Sequence, residues 1–273
     1  MNSIRELLSE QGLTLLDADP AKCGAPAPVL ALCERLADNY PVCLTFLKYI
    51  RSCLSNKTAR CTFPLTSIPE EERPATQALA RELENCGLLA DLFIKPGEMI
   101  RGTFPLIPRV NEFLTGDFLE IYAAGTAARA LKEAAEVRAL DWELLANAVV
   151  EGLGESHELD LLFRAGRCLF WCEVKSGHFS DYGKYYRIGR WLGVHPDRYL
   201  LLTAEKTSSS CETISYFYEF HVSNIQDFPG TLSRMLEHAL DRQASEDASP
   251  APATDIITHT NLSAAPAAER TAL

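Results

Sequence analysis

The chain has 273 residues, of which 47% are apolar and 23% charged, and a formal net charge of −11. That composition supports a substantial core and excludes wholesale disorder. The charge excludes a protein that coats nucleic acid by bulk electrostatics, but not a nuclease, whose site carries its own carboxylates and needs only a local basic strip.

Residues 1–28 form an N-terminal segment: a short helix around Ile4, Leu7 and Leu8, a strand candidate at Gly12–Leu16, then a linker marked by Pro20, Gly24, Pro26 and Pro28. Residues 29–110 read as a small unit. Helices are expected at Val29–Asn39 and Pro41–Leu54, the second with proline in its first turn. A strand is expected at Ala59–Leu65. A third helix, rich in acids at its start, should run from Ser67 to Cys86, with Gly87 beyond its end. A hairpin over Leu88–Leu106 turns at Pro96-Gly97. Helix, helix, strand, helix, hairpin is the order of a winged helix. Its third helix carries Glu70, Glu71, Glu72, Glu82 and Glu84 against Arg73 and Arg81, a poor surface for phosphates.

Residues 111–242 form the main domain, and 111–240 hold 12 basic and 19 acidic residues. A long helix is expected from Leu114 to about Glu136, and strand material from Val137 to Val150. Next comes a hairpin, His157–Lys175. Leu159, Leu161 and Phe163 give it the period of a strand, Ala165-Gly166 gives a turn, and Cys168–Val174 is nearly continuous apolar sequence, as in a strand buried on both faces. A helix over Asp181–Leu192, a strand over Arg198–Thr203, a polar loop over Lys206–Glu212, a strand over Thr213–Val222 and a closing helix over Phe228–Arg242 follow. Residues 243–273, rich in Ala, Ser, Thr and Pro, read as a disordered tail. The fold class is thus α/β, with an αβββαβ core preceded by a winged-helix-like unit.

Nine cysteines occur with no CxxC pair. They read as small buried residues in a reducing cytoplasm. No leader peptide is read at the N-terminus, and no stretch approaches the ~18 apolar residues of a membrane span.

The chemistry concentrates on the hairpin. Glu173 lies inside the apolar run, Lys175 follows two residues on, and Asp160 stands on the neighbouring strand. Burying two acids and a lysine together is costly without a purpose, and a divalent metal is one such purpose. Asp160 and Glu173, with the Val174 carbonyl, offer hard oxygen ligands for Mg²⁺ or Mn²⁺. Glu120, on the long helix, would hold a second ion or position a water. Lys175 would orient or deprotonate that water, or offset transition-state charge. Glu158, two residues before Asp160, would support the site. Lys184, Arg187 and Arg190 recur every third residue on the next helix, a strip suited to a phosphate backbone.

Gly116-x-x-x-Glu120, Glu158-Leu159-Asp160 and Glu173-Val174-Lys175 together resemble the PD-(D/E)xK nuclease superfamily, with Leu159 where proline is usual. Phe113–Glu120, His157–Leu162 and Trp171–Gly177 are more closely similar to the nuclease domain of the CRISPR ancillary nucleases activated by cyclic oligoadenylate. Those carry a "WLE" helix, an "NEIDV" strand and an "IECK" strand. Phe118 here replaces the tryptophan, and His157 the asparagine. The resemblance implies a restriction-endonuclease-like core and a metal-dependent endonuclease of nucleic-acid defence or processing, cytoplasmic and homodimeric, acting on DNA or RNA. It implies no ring-nucleotide activation, because only 28 residues precede the winged-helix-like unit and the family's sensor is much longer. An activating partner or ligand would fill that role. The alternative is a non-catalytic DNA-binding or scaffold protein that uses the winged helix on a nuclease-fold platform.

Overall fold

The computed structural model describes residues 3–248. The chain opens with α1 (Ile4–Glu10), β1 (Thr14–Asp17), α2 (Pro20–Cys23), α3 (Ala27–Asp38) and α4 (Tyr40–Ser55). It continues with β2 (Arg60–Pro64), α5 (Arg73–Asn85), β3 (Ala90–Lys95), β4 (Met99–Thr103) and α6 (Pro108–Glu112). A π-helical turn, Phe113–Asp117, leads into α7 (Phe118–Arg138), β5 (Trp142–Gly152), β6 (Glu155–Ala165) and β7 (Cys168–Lys175). Last come α8 (Tyr182–Trp191), β8 (Tyr199–Thr203), α9 (Ser208–Tyr218), β9 (His221–Asn224) and α10 (Phe228–Ala248).

Six strands form one mixed sheet in the order β1-β5-β6-β7-β8-β9. The pairs from β1 to β7 are antiparallel, and β7-β8 and β8-β9 are parallel. Parallel neighbours need a crossover connection, and α8 and α9 supply the two. A second, antiparallel sheet has the order β2-β4-β3. The β6–β7 turn is tight: Ala165 pairs with Cys168, and Gly166 takes φ +58°, where glycine is unstrained.

Both faces of the large sheet are covered. Phe163, Phe170, Cys172 and Val174 pack with α7 and α10 in one buried cluster, which runs on through α3, α4, α5 and the small sheet. The expected boundary at residue 110 therefore falls within a shared core. Trp171, Leu162 and Leu159 pack on the other face with Ile4, Leu8, Tyr185 and Ile188. Continuous burial on both sides explains the apolar run of β7. No helix among the described residues is long and apolar enough to cross a membrane.

Three readings change. The N-terminal segment is no separate piece, because β1 pairs with β5 and Ile4 and Leu8 of α1 are fully buried. The long helix, by contrast, runs through Gly125 as expected; a side chain there would meet Leu30 Cδ2 at 2.9 Å, so glycine lets α3 lie close. Ser208–Tyr218 is a helix, where a loop and then a strand were expected. Thr207 caps it by accepting the Ser210 N–H, and Tyr216 and Phe217 are 81% and 72% exposed. The aromatic run that suggested a strand is therefore mostly surface. Finally, α10 continues to Ala248, so residues 243–248 of the expected tail are helical; the rest of that tail lies outside the described residues.

Candidate active site

The site forms where β6 and β7 part. Their backbone ladder ends at the pair Leu161–Cys172. One step further the Asp160 side chain replaces the strand, its Oδ2 accepting the Val174 N–H at 2.7 Å. On the other side of β6, Ala146 pairs with Leu161 and Ala148 with Leu159, while Asn147 and Asp160 are left out between them. Asn147 adopts φ +48°, a left-handed conformation that asparagine tolerates better than most residues. Both strands change face here. Ala146 and Leu161 belong to the α7 face, and Ala148 and Leu159 to the α8 face. The irregularity turns Asp160 into the cleft, as a bulge re-aims a side chain.

Alternation places Glu173 and Lys175 on the α8 face. Lys175 Nζ lies 2.6 Å from Glu173 Oε1 and 3.5 Å from Asp160 Oδ2, and 5.8 Å above the Tyr185 ring. Burial and the neighbouring Glu173 charge push the Asp160 carboxyl up to about 7, against the pull of Lys175, and the charge of Glu120 adds to the rise. Burial likewise raises Glu173, with Lys175 opposing. Lys175 is raised, because the charges of Asp160 and Glu173 outweigh its own burial.

Glu120 is the third residue of α7, in its first turn, straight after the π-helical turn; such turns recur at functional sites. Its Oε2 is held by Lys22 Nζ at 2.5 Å, and the same ammonium lies 3.4 Å from Asp117 Oδ1. Lys22 was not singled out from the sequence, since it stands 98 residues from Glu120. The pairing of β1 with β5 brings it there. Asp19 N–H then donates to Ala146 O at 2.8 Å and Cys23 Sγ to Leu144 O at 3.8 Å, fastening α2 onto β5. A second residue missed is Arg51 of α4, whose Nη1 donates to Ser176 O at 2.7 Å, next to Lys175.

The other expected residues fall outside this cluster. Glu158 is exposed and accepts the Asn147 Nδ2 hydrogen at 3.2 Å; the change of face at Asp160 takes it out of the row. Lys184, Arg187 and Arg190 form an exposed stripe on α8. Lys184 begins it, 5.9 Å over the Tyr185 ring and near enough for its charge to pull on Glu173. Arg187 is paired with Asp181 at 3.8 Å.

The donor set suits a hard divalent cation. Asp160 and Glu173 offer carboxylate oxygens, and their mutual repulsion is a cost that a cation would relieve. Val174 is seen to contribute its amide, to Asp160. As they stand, the acids answer to the two lysines, and among the described residues no three acid, cysteine or histidine side chains converge to hold a metal. An ion at Asp160 and Glu173 would replace the Lys175 ammonium on at least one of them.

No family model and no curated protein sequence matches the chain. Among solved structures, it resembles the protein VC1899 from Vibrio cholerae, with a TM-score of 0.57 at 15% identity, over 87% of this chain and 61% of that one. It also resembles Can2 from Sulfobacillus thermosulfidooxidans, solved with cyclic tetra-adenylate, with a TM-score of 0.55 at 17% identity, over 86% and 60%. The chain thus shares a mixed α/β fold with both and spans about three fifths of their length.

Proposed function

We propose that the protein is a divalent-metal-dependent nuclease of the PD-(D/E)xK type that hydrolyses phosphodiester bonds within DNA or RNA. The observation that carries this reading is the meeting of Asp160, Glu173 and Lys175 where β6 and β7 separate. Two acids are buried together there at the cost of a raised Asp160 pKa. A purely structural salt bridge needs one acid per lysine and avoids that cost. The fold shared with Can2, described as a protein in complex with cyclic tetra-adenylate, is compatible with the reading. Ring-nucleotide activation is not part of the proposal.

Bound at Asp160 and Glu173, Mg²⁺ or Mn²⁺ would supply Lewis-acid polarisation of the phosphate and an acidified water. The Val174 N–H fixes the Asp160 carboxylate in its orientation. The Lys175 ammonium, charged at neutral pH, offsets negative charge growing on the phosphoryl oxygens. The Lys184, Arg187 and Arg190 stripe guides the nucleic-acid backbone towards the cleft.

The test is incubation of plasmid, single-stranded DNA and RNA with Mg²⁺ and with Mn²⁺, for wild type beside Lys175→Ala. Cleavage by wild type that the variant loses supports the reading. Equal cleavage by both, or DNA binding without cleavage under either metal, rejects it.

A further inference from the structure

The four carboxylates of the cleft are served by two ammonium groups, and the lysines divide them. Lys175 takes Asp160 and Glu173. Lys22 takes Glu120 and Asp117. Glu120 is the acid that, in a two-ion site, would ligate the second cation.

Resting on the nuclease reading above, we propose that Lys22 permanently occupies the second cation position, so that the site takes a single divalent ion, held by Asp160 and Glu173. Glu120 then serves to position water beside that ion rather than to bind another.

Three observations support this. The first is fit: the Lys22 side chain is 17% exposed, and its Nζ stands between Glu120 Oε2, at 2.5 Å, and Asp117 Oδ1, at 3.4 Å, where a cation held by Glu120 would have to lie. The second is anchorage. Lys22 does not hang from a free terminus, since Asp19 and Cys23, on either side of it, are bonded to the β5 backbone at Ala146 and Leu144. Vacating Glu120 would strip Lys22 of both carboxylates at once and leave a half-buried ammonium unpaired. The third is charge. With all four acids ionised, as a bound cation requires, Asp117, Glu120, Asp160 and Glu173 set against Lys22 and Lys175 leave two negative charges. One divalent ion cancels them. A second would leave an excess of positive charge in a cleft with little solvent to screen it.

Lys22 is therefore a positioning residue for the hydrolytic site, contributed by the N-terminal segment through β1. Its effect is on the number of ions bound, which a role confined to stability would not alter.

Mn²⁺ titration of the full chain, with free ion followed by electron paramagnetic resonance, tests this. Wild type should bind one Mn²⁺. Lys22→Met should bind two, the second at least tenfold tighter than any further binding to wild type. Lys22→Arg, which keeps the cation, should bind one. Where Lys22→Met does not melt cooperatively, Lys22→Gln takes its place with the same expectation. Two ions in wild type, or one in the Met and Gln variants, overturns the inference while leaving the nuclease reading intact. No ion in wild type, together with no loss of cleavage in Lys175→Ala, rejects the nuclease reading and the inference with it.

Discussion

The Asp160 carboxylate takes over from a backbone. Its Oδ2 accepts the Val174 N–H at 2.7 Å just where the ladder between β6 and β7 stops. The strands can part without stranding that amide, and the parting opens the cleft in which Glu173 and Lys175 meet Asp160. The same acid is thus a structural plug and the most strongly perturbed carboxylate of the site.

That dual role has a pH signature. In the folded protein the Asp160 pKa is raised from the ordinary 3.8 to about 7. Between those values the folded state holds a proton that the unfolded state has released. Asp160 therefore costs stability as pH rises through this window, and the cost is complete above it. Asp160→Asn keeps an acceptor for Val174 and removes the titration. EDTA-treated Asp160→Asn should melt above EDTA-treated wild type at pH 8, and the gap should close towards pH 4; with Mg²⁺ restored, the variant should not cleave. Differential scanning calorimetry across that range checks it; a gap that ignores pH would contradict the burial of this acid.

The acids must be ionised to hold a cation, so binding and proton release are coupled. Adding Mg²⁺ should raise the melting temperature more at pH 8 than at pH 6. At about a hundred times its dissociation constant, the ion should add ~2.7 kcal/mol. Lys175→Ala should behave differently, since it leaves Glu173 buried without its cation, at a cost of about 3 kcal/mol without metal. Mg²⁺ should recover part of that loss. Melting curves with EDTA and with Mg²⁺ distinguish the two variants.

Much of the candidate site was legible because its signals are local. The β6–β7 hairpin, the acid inside the apolar run and the E-x-K spacing all lie within nineteen residues, where strand period and turn chemistry speak directly. Glu120 followed from its place on the first helix of the main domain. What the sequence hid depends on pairing across distance. Lys22 reaches Glu120 only because β1 joins the sheet edge at β5. Glu158 was placed beside Asp160 by strict alternation, which the left-handed Asn147 breaks. The α9 error has another cause. Ile214, Tyr216, Phe217 and Tyr218 are strand-favouring residues, yet Thr207 caps a helix ahead of them and Glu219 ends it in the left-handed conformation. Local capping outweighed propensity there.

The α8 stripe makes a separable prediction. Lys184, Arg187 and Arg190 are exposed. Replacing all three by Ala should raise KM at least tenfold with kcat changed by less than threefold. The slope of log affinity against log salt should flatten by about one for each cation that contacts phosphate. Arg187 should contribute least, because Asp181 already shares its charge. Binding measured at several salt concentrations in EDTA, which blocks turnover, reads this without interference from cleavage.

Arg51 ties α4 to the loop that follows β7. Its Nη1 donates to Ser176 O at 2.7 Å, and Ser176 Oγ donates to Thr115 O at 3.1 Å in the π-helical turn before Glu120. The end of β7 and the start of α7 are thereby held in one frame, with Lys175 on one side and Glu120 on the other. The buried Arg51 guanidinium also lies against Tyr40, 5.9 Å from its ring centroid. Arg51→Met keeps the apolar bulk and removes the bond to Ser176, worth about 1.5–3 kcal/mol for a charged donor, so the fold should survive. The frame would loosen all the same, and a misplacement of the order of an ångström between reacting groups costs up to about a hundredfold in rate. We expect kcat to fall about tenfold at an unchanged KM, with partial recovery in Arg51→Lys, which keeps a donor within reach of Ser176. An unaltered kcat in Arg51→Met would show that Ser176 and Thr115 hold the two sides together without help from α4.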